Sequence, residues 1–139
     1  SKSNTIFKFH TVMVKIIPIN KSNPQDRGAE NKFYAQVVST GKTDLERLAY
    51  LVANQSTVRE GDCYAVILSL IHNIVDELNQ GRIVKLDKLG TFNISVSSNA
   101  SDTPEAVSAN SVKDVRIRFR PDQRIKNSLN IKTMNFTTS

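Results

Sequence analysis

The chain has 139 residues, 39% of them apolar and 23% charged, the length and balance of a single folded domain that buries a core of its own without a metal or disulfide. Nineteen Lys and Arg against thirteen Asp and Glu give a formal net charge of +6, a modest bias toward an acidic partner, so the location of the charge matters more than its total. A lone cysteine excludes an intrachain disulfide, and no stretch reaches the roughly 18 apolar residues of a membrane span.

Residues 1–12 (SKSNTIFKFHTV) lack the apolar block of a signal peptide and read as a tag or an alternative upstream start, with the fold beginning at Met13. The expected compartment is the cytoplasm, with no membrane partner. TVMVKIIPIN, KSNPQDRGAEN and KFYAQVVST then read as strand, polar loop and strand, an N-terminal hairpin over 13–42. Pro18 cannot donate a ladder hydrogen bond, so it is expected at an edge or a bulge.

TGKTDLERLAYLVANQS opens with capping-box spacing from Thr43 to Glu46 and places Leu45, Leu48, Leu51 and Val52 on one stripe of a short amphipathic helix. A longer helix follows in TVREGDCYAVILSLIHNIVDELNQG, with Gly81 as its stop. Its apolar residues form two rows: Val66, Leu70 and Ile74, then Ile67, Ile71, Val75 and Leu78. That face is wider than one partner helix requires, as in a homodimer. Cys63, within the same apolar run, reads as a small core residue.

RIVKLDKLGTFNISVSS reads as two short strands joined at Leu89-Gly90, where glycine tolerates a positive φ. SNASDTPEAVSANS is small, polar and free of Lys and Arg, the composition of an exposed hairpin tip or mobile loop. In VKDVRIRFRPDQRIKNSL, Arg116, Arg118 and Arg120 alternate with Val115, Ile117 and Phe119, so a strand here presents one apolar face and one row of guanidinium groups. Pro121 stops that strand, DQRIKNSLNI reads as a short closing helix, and the tail over 131–139 carries no readable element. The order of elements is that of an α+β domain.

The charge is concentrated near the arginine row. Residues 43–92 hold five basic and seven acidic side chains, whereas residues 113–126 hold six basic and two acidic, Asp114 and Asp122. A solvated face balanced by acidic neighbours is the ordinary alternative for such a run.

Three local patterns, taken in order, resemble the bacterial histone-like HU and integration host factor family: ELNQG closing the helix pair, KLGTF with Gly90 and Phe92, and FRPDQRIKNSL with Phe119, Pro121 and Leu129. The resemblance covers roughly residues 43 to 129, and the preceding hairpin is similar to the extension of a divergent HU-like branch. It implies an HU-like fold over 43–130: a helix pair, a three-stranded antiparallel sheet with a hairpin arm, and a short C-terminal helix. It also implies an intertwined homodimer that sits as a saddle on double-stranded DNA in the nucleoid, with basic arms whose apolar wedge, usually proline, kinks the duplex. The arm here departs from that pattern. From Asn93 to Val112 there is no Lys or Arg, and Asp102 and Glu105 flank the only proline, Pro104, so its tip repels phosphates.

The leading expectation is a non-sequence-specific architectural DNA-binding protein in which Arg116, Arg118 and Arg120, helped by Lys85, Lys88, Arg124 and Lys126, contact backbone phosphates. The competing expectation is an HU-like fold kept as a protein-interaction or structural module, with the N-terminal hairpin offering a free edge. No enzyme chemistry is expected: His10 and His72 stand far apart, and metal spacing, a phosphate-binding glycine loop and a nucleophile signature are all missing. Neither a cofactor nor a small-molecule substrate is expected.

Overall fold

The computed structural model of the protein describes residues 12–21, 25, 28 and 30–139. The expectation for residues 1–12 therefore lies, Val12 apart, outside the described residues, as does His10. In chain order the elements are β1 (Met13–Lys21), β2 (Lys32–Val37), α1 (Leu45–Asn54), α2 (Glu60–Asn79), β3 (Val84–Leu86), β4 (Gly90–Ser98), β5 (Val112–Pro121), α3 (Gln123–Ser128) and β6 (Asn135–Thr137). They fall into two compact units, one of residues up to Lys42 with Leu129–Ser139, the other Thr43–Ser128.

The first unit is a three-stranded sheet in the order β2-β1-β6. β1 and β2 pair antiparallel from Ile16↔Val37 to Lys21↔Lys32, as the alternating apolar pattern predicts. The bond from Val38 N–H to Lys15 C=O, 2.8 Å, sets the phase of the ladder. Pro18, three residues on, then falls at a non-hydrogen-bonded position with its nitrogen turned away from β2. β6 pairs in parallel with Met13, Val14 and Lys15 only, so Pro18 faces the open stretch of that side and costs the sheet no hydrogen bond. β6 itself was not legible in the sequence: three residues are too few to display a period.

In the second unit, α1 is capped by Asp44 rather than by Thr43. The Asp44 carboxylate accepts from Arg47 N–H at 2.9 Å, and the helix starts at Leu45. A carboxylate at this position satisfies an orphan amide and also meets the positive end of the helix dipole, which a threonine hydroxyl one residue earlier does not. Asp44→Ala is expected to lower stability by about 1 kcal/mol in urea titrations.

α2 ends as the sequence predicts. Gly81 has φ +78°, its N–H bonds Leu78 C=O at 2.9 Å, and Arg82 N–H bonds Glu77 C=O at 3.2 Å, the two reverse bonds of a Schellman stop. Cys63 is buried, as expected for a core residue. Among the described residues it shares that state with only two other apolar side chains, Ala49 and Leu78. Val66 is 65% exposed, and Leu70, Ile71 and Val75 are each about half exposed. A single chain thus leaves much of the broad apolar face of α2 uncovered.

The sheet β3-β4-β5 is antiparallel throughout. Its helix-side connection and its turn are short, and the β4 and β5 hairpin extends to Ser98↔Val112, with an irregularity beside Ser97 that leaves Lys113 unmatched. Beyond it, Asn99 N–H bonds Ser111 C=O at 2.8 Å, and two single turns of 3-10 helix at Pro104–Ala106 and Ala109–Ser111 complete the tip. The Lys- and Arg-free segment is therefore a built hairpin end, with Asp102 and Glu105 on it.

Candidate nucleic-acid interface

Strand alternation divides the second sheet into two faces. Phe92, Ile94 and Val96 of β4 stand opposite Phe119, Ile117 and Val115 of β5 on one of them. On the other, Thr91, Asn93 and Ser95 stand opposite Arg120, Arg118 and Arg116, and Lys85 of β3 pairs with Thr91 from the far side. The positions across from the arginines are thus small and neutral. Among the described residues no carboxylate pairs with Arg116, Arg118 or Arg120; acids are engaged elsewhere, as Glu77 with Arg82 at 2.8 Å and Asp76 with His72 at 3.3 Å. The one acid on the same strand and side is Asp114, two residues from Arg116, and it makes no ion pair with the row.

The two phenylalanines that alternate with this row hold it in place. The rings of Phe92 and Phe119 are 4.7 Å apart between centroids and tilted at 42°, a geometry that adds attraction beyond area burial. Gly90 pairs with Pro121, and a methyl group on Gly90 would lie 2.5 Å from Phe119 Cε1 and 2.6 Å from the Arg120 carbonyl oxygen. The glycine is required for this close approach, and the β3–β4 turn also holds Lys88 at φ +78°. The Leu86 C=O accepts from Leu89 N–H at 3.0 Å to close that turn. Gly90 itself takes the positive φ expected of it, +159°, and the turn makes a second such demand two residues earlier, on Lys88.

Two adjoining hollows mark where the basic groups gather. One, of about 550 Å³, includes Lys85, Thr91, Asn93, Arg118 and Arg120 in its lining. The other, of about 350 Å³, is bounded by Lys85, Arg120, Gln123 and Lys126, with Asp122 the only acid. Asp122 accepts from Arg124 N–H at 3.3 Å at the start of α3 and still offsets part of this positive charge. Of the seven basic residues expected at the site, Lys85, Arg118, Arg120 and Lys126 are brought together here. Arg116 lies farther along the hairpin opposite Ser95. Arg124 on α3 and Lys88 in the turn line neither hollow. Lys85 has a loose ion pair with Asp87 at 3.6 Å, both ends exposed, which contributes little. The neutral residues Thr91, Asn93 and Gln123 were not singled out by sequence. Thr91 and Asn93 are set opposite the arginines by the register that pairs Gly90 with Pro121, which no local pattern shows, and Gln123 lies outside that ladder on α3.

A family model described as an HU domain fused to wHTH, Ig, or glycine-rich motif matches residues 13–137, from the first strand of the N-terminal sheet to its last. The chain belongs to this HU-HIG family. None of the curated proteins compared matches it. Among solved structures, the HU-HIG chain is similar to a bacterial protein from Bacteroides vulgatus ATCC 8482 proposed to bind DNA, with a TM-score of 0.63, 16% identity and 91% of the present chain covered. The present chain spans 47% of that protein's length, and at this identity the likeness concerns the fold. The α+β, HU-like architecture expected from the sequence is the one found.

Among the described residues no three His, Cys, Asp or Glu side chains gather to hold a metal ion, and no helix is long and apolar enough to cross a membrane. His72 and Asp76 form an exposed pair one turn apart on α2.

Proposed function

We propose that the chain binds double-stranded DNA without sequence preference, through phosphates, as an architectural protein of the nucleoid. The observation that carries this reading is the face of the β3-β4-β5 sheet: three exposed arginines in one strand, neutral residues opposite them, and no carboxylate pairing with them. A guanidinium without an internal acid is free to displace the counterions condensed on DNA. The sequence carries no recognition-helix pattern, and α3, which borders the second hollow, is only six residues long, so contacts there position the duplex and do not specify its sequence. The family and the solved neighbour support the same partner.

The acting species is a homodimer. Its support is the uncovered apolar surface of α2 together with that of the hairpin, where Ile117 is 66% and Val115 56% exposed. Two copies sharing these faces would bury what one copy cannot.

The hairpin tip takes little part in binding, because Asp102 and Glu105 would add repulsion where a phosphate contact should release a cation. The test is duplex binding across a salt series for the parent and for a variant with Arg116, Arg118 and Arg120 all changed to Gln. The slope of log K against log salt is expected to fall by about three units in the variant, with no change in the preference among duplex sequences. Equal slopes would remove the arginine face as a DNA site and favour use of the fold as a protein-interaction module.

A further inference from the structure

The sheet of the first unit also has two unlike faces. By strand alternation, Val14, Ile16, Phe33, Val37 and Phe136 share one side, and Lys15, Lys21, Lys32 and Tyr34 share the other with Met13, Ile17 and Ile19. The Lys21 ammonium lies 5.4 Å from the centroid of the Tyr34 ring, consistent with a common face. Lys21 and Lys32 are direct partners across the antiparallel ladder, an arrangement in which like charges repel. Among the described residues no carboxylate pairs with Lys15, Lys21 or Lys32. Nor does the local sequence make up the balance: residues 13–42 contain Lys15, Lys21, Arg27, Lys32 and Lys42 against Asp26 and Glu30.

A strand pair that sets two lysines opposite each other, with no described carboxylate in ion-pair distance, gains stability when an external anion sits between them. The third lysine extends the surface. Lys15 and Lys21 are six residues apart on β1, roughly 20 Å along an extended strand, which is the reach of several phosphates along a nucleic-acid backbone. Tyr34, 49% exposed between the lysines, adds a phenolic hydroxyl that can donate to a phosphate oxygen. An anionic bilayer would require apolar side chains to insert on the same side as the lysines. On the lysine side Met13 is 48% and Ile17 40% exposed, but the larger exposed apolar side chains, Phe33 at 68% and Val37 at 60%, belong to the opposite face, so a bilayer could not take up the lysines and the main apolar surface together.

We propose that this lysine and tyrosine face is a second phosphate-binding surface for duplex DNA, carried by the first unit and separate from the arginine row of the second. It depends on its own three lysines and stands or falls independently of the arginine face.

The experiment uses the whole chain in four forms: the parent, a Lys15, Lys21 and Lys32 triple Gln variant, the same three changed to Arg, and the Arg116, Arg118 and Arg120 triple Gln variant. Duplex binding is followed by fluorescence anisotropy across a salt series, and flotation with phosphatidylcholine and phosphatidylserine vesicles is run in parallel. The lysine-to-Gln variant is expected to lose two to three units of salt slope, about one per phosphate contact, while the lysine-to-Arg variant keeps the parent slope. A slope unchanged in the Gln variant overturns the proposal, and so does an equal loss in the Arg form, which would trace the effect to folding. Vesicle binding that disappears with the lysines while the duplex slope stays constant assigns the face to membranes and overturns it as well. If the arginine variant binds like the parent and the lysine-to-Gln variant does not, the arginine reading fails and this one holds.

Discussion

Leu70→Asp is expected to abolish the proposed homodimer and, with it, the folded chain. Leu70 lies on α2 in the row of Val66 and Ile74, one helical turn from each, and is 46% exposed in the single chain, with Val66 at 65%. In a dimer that covers this row, a carboxylate would have to leave water for an apolar contact without a cation to meet it, at a cost of several kcal/mol per subunit. That exceeds what a small core can absorb, since Ala49, Cys63 and Leu78 are the buried apolar side chains among the described residues. Leu70→Met keeps volume and apolar character and should cost less than about 1.5 kcal/mol. Sedimentation equilibrium with circular dichroism checks both: the parent and Leu70→Met sediment as folded dimers, and Leu70→Asp as an unfolded monomer. A parent that is a stable folded monomer at micromolar concentration would remove the dimer from the proposed function.

Gly90→Ala should be the most damaging single methyl addition in the second sheet. The new carbon would stand 2.5 Å from Phe119 Cε1 and 2.6 Å from the Arg120 carbonyl oxygen. The first clash cannot be relieved by a small ring rotation alone, because Phe119 packs on Phe92 at 4.7 Å; the second is with backbone. β5 must therefore move away from β4, at a cost of about 2–4 kcal/mol. The same movement displaces Arg120, which pairs across from Thr91, so duplex affinity should fall along with thermal stability. Gly61→Ala is the contrast. Nothing lies within 4 Å of its added carbon, and in the first turn of α2 the change is expected to be neutral or stabilising by up to about 1 kcal/mol. Thermal melts of the two variants should shift in opposite directions, and a Gly90→Ala protein as stable as the parent would disprove the close-approach argument.

Local order determined much of this protein. The alternation of Arg116, Val115, Arg118, Ile117, Arg120 and Phe119 implied a two-faced strand, and that period is a property of the backbone, independent of what the strand pairs with. The helix pair and its glycine stop at Gly81 were legible for the same reason: amphipathic rows and a left-handed C-terminal residue are written within a few positions of each other. Even the width of the α2 apolar face could be read before any partner was known.

What the sequence left open depends on which distant segments meet. That Lys85 lies across Thr91 from Arg120, and that Lys126 borders the same hollow, follows from the register of three strands and the placement of α3. No local pattern encodes that register. The pairing of β6 with Met13, Val14 and Lys15 joins the two ends of the described chain. Its three residues carry no period of their own, so their strand conformation is supplied by the strand they join. Gly90 was readable as a glycine requirement through its positive φ, but the second reason for it, the ring of Phe119 above it, exists only once β4 and β5 are paired. The facing of Lys21 and Lys32 is likewise a product of hairpin register: periodicity says which side of its own strand a residue takes, and pairing alone decides which charge it confronts.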